Sequence, residues 1–540
     1  MELGGGEAVT LAFRHRRESA PNSRRSLHPE ISRNTLGRPP MSDEDQQPGA
    51  AGSDESRGGS AANSNSTIET DYLVVGAGAM SLAFVDTILD ETDASVVIVD
   101  RYDKPGGHWR LAYDYVRLHQ PSEYYGVNSM TLGSGAIETT GTNAGLLELA
   151  TADGLRDYFE RVMHDHLLPS GRVTYLPNTE YGSDGVVRRV LSGETVVIRP
   201  RRRTVDGTFM KVTVPAMVPP PYAVGDGVKV IPPNGLSRLA RGYDRYVVVG
   251  GGKTAIDTVL WLLDRGVEAA RISWVMPADS WLLNREICQP GPAFVEMADA
   301  YAKAYFDSWV QATSMEELYD NLAESEYIFR LSDEVRPTRN RCATVTRAEL
   351  AAIRRVEDVI RLGHVLSIDA STGMVLEHGT RSFGEATLYV DCTANGLARL
   401  DPVPVFSPGA ITLQSVAFCN QVYGASFIAH IEAVGQEDAT KNALTTPVPH
   451  SYTDADYVHS LLVEFSNELK WANDPEIVQW RQEARLAGLT TQVGTPLPPP
   501  GPGREIRLAA DREALTQLVG RAELLIADLN SRAGSVAVGG

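Results

Sequence analysis

Two stretches of this chain share one pattern: a run of β-branched apolar residues, a glycine-rich break, then apolar positions at helical spacing. The first reads TDYLVVGAGAMSLAFVDTIL over 70–89, and the second reads DRYVVVGGGKTAIDTVLWLL over 244–263. Each predicts a buried strand, a tight turn and a helix, with the turn's N–H groups and the helix N-terminus free to hold a pyrophosphate. One such turn is a weak signal. Two of them in full strand–turn–helix context point to two dinucleotides on one chain and to flavoenzyme chemistry.

The pattern between and beyond these units predicts the remaining elements. VVIVD at 96–100 is a second strand, a helix over 152–167 starts behind a Thr151 cap, and a strand at 173–176 precedes a hairpin over 186–198. Arg199, Arg201, Arg202 and Arg203 then read as a solvated edge that discourages strand pairing. Three prolines at 219–221 stiffen an exit from the first domain. Helices are expected at 292–308, 315–323 and 347–362, with a hairpin over 365–391 and helices near 454–471, 475–486 and 511–531. The fold class is therefore α/β: a Rossmann-like FAD-binding domain with an inserted second Rossmann-like NADP-binding domain, plus a helical C-terminal extension. The expected boundaries are a tail at 1–66, the first domain at 67–221 and 346–440, the insert at 222–345 and a cap at 441–540.

Residues 1–40 carry seven arginines and no lysine, and 41–66 turn acidic and small. Neither stretch has apolar periodicity, so the whole segment is expected to be a disordered tail rather than a transit peptide. The net charge of −19 argues against nucleic acid or an anionic membrane as partner. The one apolar stretch long enough to span a membrane, 72–89, contains a glycine turn and Asp86, so integral membrane contact is not expected. Cys288, Cys342, Cys392 and Cys419 show neither a C-x-x-C pair nor ligand spacing. No metal and no redox-active disulfide is expected of them, and a reducing cytoplasm fits. Homo-oligomerisation is left open.

In the first turn Gly76 makes the bend, Gly78 lets the pyrophosphate approach, and Ser81 stands where a third glycine is usual. Asp100 ends the second strand, where a carboxylate accepts from adenosine ribose hydroxyls, with Arg101 beside it. In the second turn Gly250, Gly252, Lys253 and Thr254 form the cradle. The following strand, RISWVM, ends without a carboxylate, which favours NADP over NAD, and Arg285 is a candidate for the 2′-phosphate.

The segment KPGGHWRLAYDYVRLHQPSEYYGV at 104–127, both glycine turns, YFERVM and VDCTANG at 390–396 together resemble the flavin-containing and Baeyer–Villiger monooxygenases. The similarity extends over roughly residues 70 to 435. It implies FAD in the first site and NADPH in the second, a small-molecule substrate, and oxygenation by O2 through a C4a-peroxyflavin. Gly106, Gly107, His108 and Trp109 would then lie along the FAD, and His119 and Gln120 would face the isoalloxazine as catalytic candidates. Asp391 and Asn395 would stand at a strand end beside the same cofactor, and the helix in 418–435 would aim its N-terminus at the flavin C2 carbonyl. The family's histidine-containing fingerprint is missing; GDGVKVIPPNGLSRLARGYD occupies that stretch. Two other readings therefore stand beside oxygenation: an NADPH-dependent flavin reductase or dehydrogenase, and a non-catalytic FAD-binding protein.

Overall fold

The computed structural model describes residues 66–394 and 396–538. The tail expected at 1–66 lies outside these residues, apart from Ser66 itself, as does Asn395. Two parallel sheets organise the described chain. In the first, strand β1 (Ser66–Val75) pairs with β2 (Val96–Val99), and β2 pairs with β3 (Val173–Leu176). The long strand β4 (Thr195–Asp206) flanks β1 on its other side. Side chains alternate between faces: Tyr72, Val74, Val96 and Ile98 enter one core, while Leu73, Val97 and Val99 enter the other. A parallel sheet covered on both faces needs such unbroken apolar strands.

The second sheet is built around β5 (Arg245–Val249), with β6 (Ile272–Val275) on one side and β7 (Thr387–Asp391) on the other. Val248, Tyr246 and Trp274 pack in one core and Val247, Val249 and Val275 in another. This placement corrects the boundary expected at residue 346. β7 pairs with β5 in parallel, Asp391 opposite Val249, so the chain stays in the second lobe until Asp391. It returns to the first sheet at Ala410–Thr412, which lies beside β4. The helix expected over 347–362 also stops early, at Ile353, and Val359–Ile360 joins the second sheet at β6.

Helix α1 (Ala79–Glu91) follows the first glycine turn and α2 (Lys253–Asp264) the second. Thr151 caps its helix as expected, its side chain accepting from Gly154 N. After the return, α3 (Gln421–Ala433) packs on α1, where Ser426 Oγ lies 2.8 Å from Thr87 Oγ1. The C-terminal extension reaches both lobes. Tyr457, Val458 and Leu461 of α4 (Asp454–Ala472) and Leu518 and Ala522 of α5 (Pro502–Val538) pack around Trp281, Trp309 and Tyr319, while Trp471 enters the core of the first lobe. Among the described residues, no helix is long and apolar enough to cross a membrane.

Asp86, buried in α1, receives Ser129 Oγ and lies 2.9 Å from His166 Nε2. The hydrogen bond to Asp86 raises the His166 pKa above its ordinary 6.5. A histidine whose folded pKa is raised stabilises the fold below its unfolded pKa, and that contribution fades as pH climbs through the folded value. The urea midpoint of the native protein should therefore fall relative to that of His166→Gln as pH rises from 6.5 upward. Parallel curves for the two proteins would remove this linkage.

Candidate functional site

The first glycine turn is held by its own backbone. Gly76 N donates to Val99 O at 2.8 Å, and Ala77 N donates to Asp100 Oδ2 at 2.6 Å. Gly78 is the N-cap of α1 and supplies no side-chain cap, so the first N–H groups of a 13-residue helix have no side-chain acceptor there. The second glycine loop closes on this turn: Gly106 N donates to Ala77 O, and a Cβ on Gly107, at φ +55°, would lie 3.0 Å from Gly78 Cα. The left-handed backbone and the close approach together require glycine at 107. Ser81 tucks under Gly207, the residue after β4, where a Cβ would overlap the serine hydroxyl. That hydroxyl is buried without a hydrogen-bond partner.

Asp100 stands where the sequence puts it, with both carboxylate oxygens in use: Oδ2 accepts from Ala77 N and Oδ1 from Tyr102 N. Burial raises its pKa against the opposing pull of these two bonds. Arg101 is exposed, its guanidinium over the Tyr102 ring. His108 lies against Trp109, whose indole N–H donates to Tyr125 OH at 2.8 Å. Burial lowers the His108 pKa to about 4, so the ring is neutral near pH 7.

From Trp109 the chain crosses to the second lobe. Tyr113 OH donates to Asp257 Oδ2 at 2.7 Å, Tyr115 OH lies 3.0 Å from Thr258 Oγ1, and the Tyr115 ring stacks on Trp261 at 5.0 Å. All three partners belong to α2, the helix that follows the second glycine turn. That turn repeats the logic of the first. A Cβ on Gly250, at φ +129°, would lie 2.8 Å from Cys392 O, and Gly252 caps α2 without a side chain and faces open space. Lys253 is ion-paired with Asp257 one helical turn on, and the Thr254 carbonyl accepts from Thr258 Oγ1.

His119 and Gln120 follow this strap. Gln120 Nε2 donates to Tyr124 O at 3.2 Å. His119 Nδ1 is buried and has no hydrogen-bond partner. Burial first, then the charges of Lys253 and Arg285, bring its pKa down to about 3. The ring is thus a neutral imidazole with one unmet hydrogen-bonding position.

Two expected cofactor contacts stand elsewhere. Arg285 is fully buried, 2.9 Å from Glu349 Oε2, and donates to Asn143 Oδ1 and Thr344 O at 3.2 Å each. It is a structural ion pair and cannot reach a phosphate in solvent. Asp391 belongs to the second sheet and not beside the first turn; its Oδ1 accepts from Thr393 Oγ1 at 2.7 Å and from Tyr222 OH at 3.3 Å. The cysteines differ as well. Cys342 and Cys419, expected as dispersed thiols, form a disulfide, and Cys288 and Cys392 are free. Tyr113 and Tyr115 carried no signal in the sequence beyond their aromatic character.

No family model matches the chain. It is 46 % identical over 420 residues to uncharacterised proteins of Mycobacterium tuberculosis and Mycobacterium bovis, covering 78 % of this chain and 78 % of each relative. The chain belongs to the family of these mycobacterial proteins. Among solved structures the likenesses are fainter. A cyclohexanone-bound cyclohexanone monooxygenase is 15 % identical with a TM-score of 0.42, over 68 % of this chain and 88 % of that one. An NADP-bound steroid monooxygenase is 13 % identical with a TM-score of 0.42, over 84 % and 98 %. A flavin-containing monooxygenase from Stenotrophomonas maltophilia is 14 % identical with a TM-score of 0.39, over 68 % and 98 %. Likenesses this weak decide nothing about this chain.

Arg285→Met should leave the buried Glu349 carboxylate uncompensated and cost about 3–5 kcal/mol of stability. Urea unfolding checks the loss. A variant of normal stability with a weakened preference for NADPH over NADH would return Arg285 to the phosphate.

Proposed function

We propose that this chain is an FAD- and NADPH-dependent oxidoreductase, and that it transfers one oxygen atom from O2 to a small organic substrate. One observation carries this reading: two glycine-capped helix N-termini, α1 and α2, tied to one another by the Tyr113–Tyr115 strap. The residues of the first lobe fit FAD. The Gly78–Gly107 approach is a cradle that a Cβ would fill, and Asn420 Oδ1, at the N-cap of α3, is buried without a partner. The residues of the second lobe fit NADPH in the same way, with Gly252 open.

Bound flavin supplies two-electron redox chemistry and, once reduced, reaction with O2. The chain's part is to bind, orient and exclude water. The N-termini of α1 and α2 oppose pyrophosphate charge with their free N–H groups. His119 offers a neutral Nδ1 to a bound ring at the lobe junction, as donor or acceptor according to its tautomer. Strand β6 is followed by Met276 rather than by a carboxylate, and the adjacent strand Val359–Ile360 is followed by Arg361, the Ile360 carbonyl accepting from Met276 N. Arg361 is bound by Asp279 in a two-pronged ion pair, at 2.7 and 3.0 Å, and replaces Arg285 as the candidate for the 2′-phosphate.

A second reading is reduction of another acceptor without oxygenation. It is favoured by the pairing of both cations that act on His119, Lys253 with Asp257 and Arg285 with Glu349, which leaves neither free to hold negative charge beside a flavin. Anaerobic reduction by NADPH followed by mixing with O2 in a stopped-flow spectrometer separates the two. Oxygenation predicts an absorbing species between reduced and oxidised flavin, and direct return to oxidised flavin favours the reductase. Failure of NADPH to reduce the flavin contradicts both.

A further inference from the structure

The disulfide between Cys342 and Cys419 joins residues 77 apart in sequence. Cys342 lies in the strand Arg339–Val345, which pairs with Ser280–Asn284 in the second lobe. Cys419 stands two residues before α3, the helix that packs on α1 in the first lobe. The bond is therefore a covalent tie across the lobe junction.

A third segment closes over it. Val448 N donates to Ser415 O at 2.8 Å, Asn340 N to Tyr452 O at 3.1 Å, and Ser451 Oγ to Asn340 O at 2.9 Å. This segment carries His450, and one ring nitrogen and both sulfurs lie within 4.8 Å of one another. Both cysteines hold left-handed backbone, with φ +55° at Cys342 and +54° at Cys419. For a residue with a Cβ this conformation is strained and persists only where the surroundings hold it. Two such residues facing one another, bonded and beside a histidine, are not explained by packing alone.

We propose that Cys342–Cys419 is a thiol–disulfide exchange site, closed in this structure and opened by a dithiol reductant, that adds a covalent tie at the lobe junction when oxidised and loosens the two segments it joins when reduced. The thiolate form of the reductant attacks the Sγ of Cys419, the less buried of the two cysteines. The S–S bond breaks and Cys342 leaves as a thiolate, which takes a proton from solvent. The reductant's second thiol then attacks its own sulfur in the mixed disulfide and releases Cys419. Two electrons and two protons end on the cysteine pair, and the reductant ends as a disulfide. Burial and the Arg341 charge lower the His450 pKa to about 4, so the imidazole stays neutral and lies beside the sulfurs as a hydrogen-bonding group rather than as the base.

Opening acts on both lobes. It releases the lead-in to α3, where Phe418 N donates to Glu464 Oε2 at 2.8 Å. It also frees the strand whose Thr344 carbonyl holds Arg285, the cation that acts on His119. Any effect on turnover rests on the two-cofactor reading; the exchange itself does not.

The test uses the full-length protein, isolated aerobically, alkylated in denaturant and mapped by peptide mass. The expected result is a linked Cys342–Cys419 peptide with Cys288 and Cys392 alkylated, and four alkylated cysteines once dithiothreitol has acted on the folded protein. Amide hydrogen exchange over 339–345 and 415–424 should rise about tenfold on reduction. Cys419→Ser and Cys342→Ala should already exchange at the reduced rate and not respond to dithiothreitol. Four free thiols after diamide treatment of the folded protein would overturn the proposal. So would a bond that dithiothreitol opens only in denaturant, exchange rates indifferent to reduction, or one equivalent of zinc bound with all thiols reduced. Mapping needs neither flavin nor NADPH, so its failure would leave the proposed reaction standing.

Discussion

Tyr113 and Tyr115 reach from the loop behind the first glycine turn onto the helix behind the second, and the relation between the two lobes depends on this docking. A phenol that donates to a part-buried carboxylate, beside a ring stacked on an indole, combines a charge-assisted hydrogen bond with aromatic packing. Asp257 is the shared element. It receives Tyr113 and pairs with Lys253 at the first position of α2, so the strap and the second turn are set by the same carboxylate. His119, four residues beyond Tyr115, is thereby held where the charges of the second lobe act on it.

Several buried polar atoms among the described residues have no hydrogen-bond partner, three of them near the elements named here. Native interiors satisfy nearly all their buried polar atoms, and an exception calls for an explanation. Ser81 Oγ lies behind the first turn, Asn420 Oδ1 at the start of α3, and His119 Nδ1 at the end of the strap; all three are buried and unpaired. Each costs roughly 1–3 kcal/mol unless a bound group supplies a partner.

The two strand–turn–helix units were legible because their signal is local: apolar run, glycines and helical period lie within twenty residues. The Thr151 cap was legible for the same reason. What required long-range information was not. TLYVD is apolar enough for either sheet, and only its pairing with Arg245–Val249 assigns it to the second. Arg285 reads as a phosphate contact until Glu349 and Asn143 are brought to it from distant parts of the chain. Cys342 and Cys419 have no diagnostic spacing because the fold, and not the sequence interval, makes them neighbours. The strap was in plain view as two tyrosines, without a local cue to the helix they meet.

The central claim is that each glycine-capped helix holds its own dinucleotide. Calorimetric titration of FAD and NADP+ into the wild type, Gly78→Asp and Gly252→Asp tests it most directly. An aspartate at an N-cap supports the helix while repelling a pyrophosphate, so both variants should fold. The account predicts one FAD and one NADP+ per wild-type chain, with Gly78→Asp losing FAD alone and Gly252→Asp losing NADP+ alone. A single dinucleotide per chain, or loss of the same ligand in both variants, would contradict it.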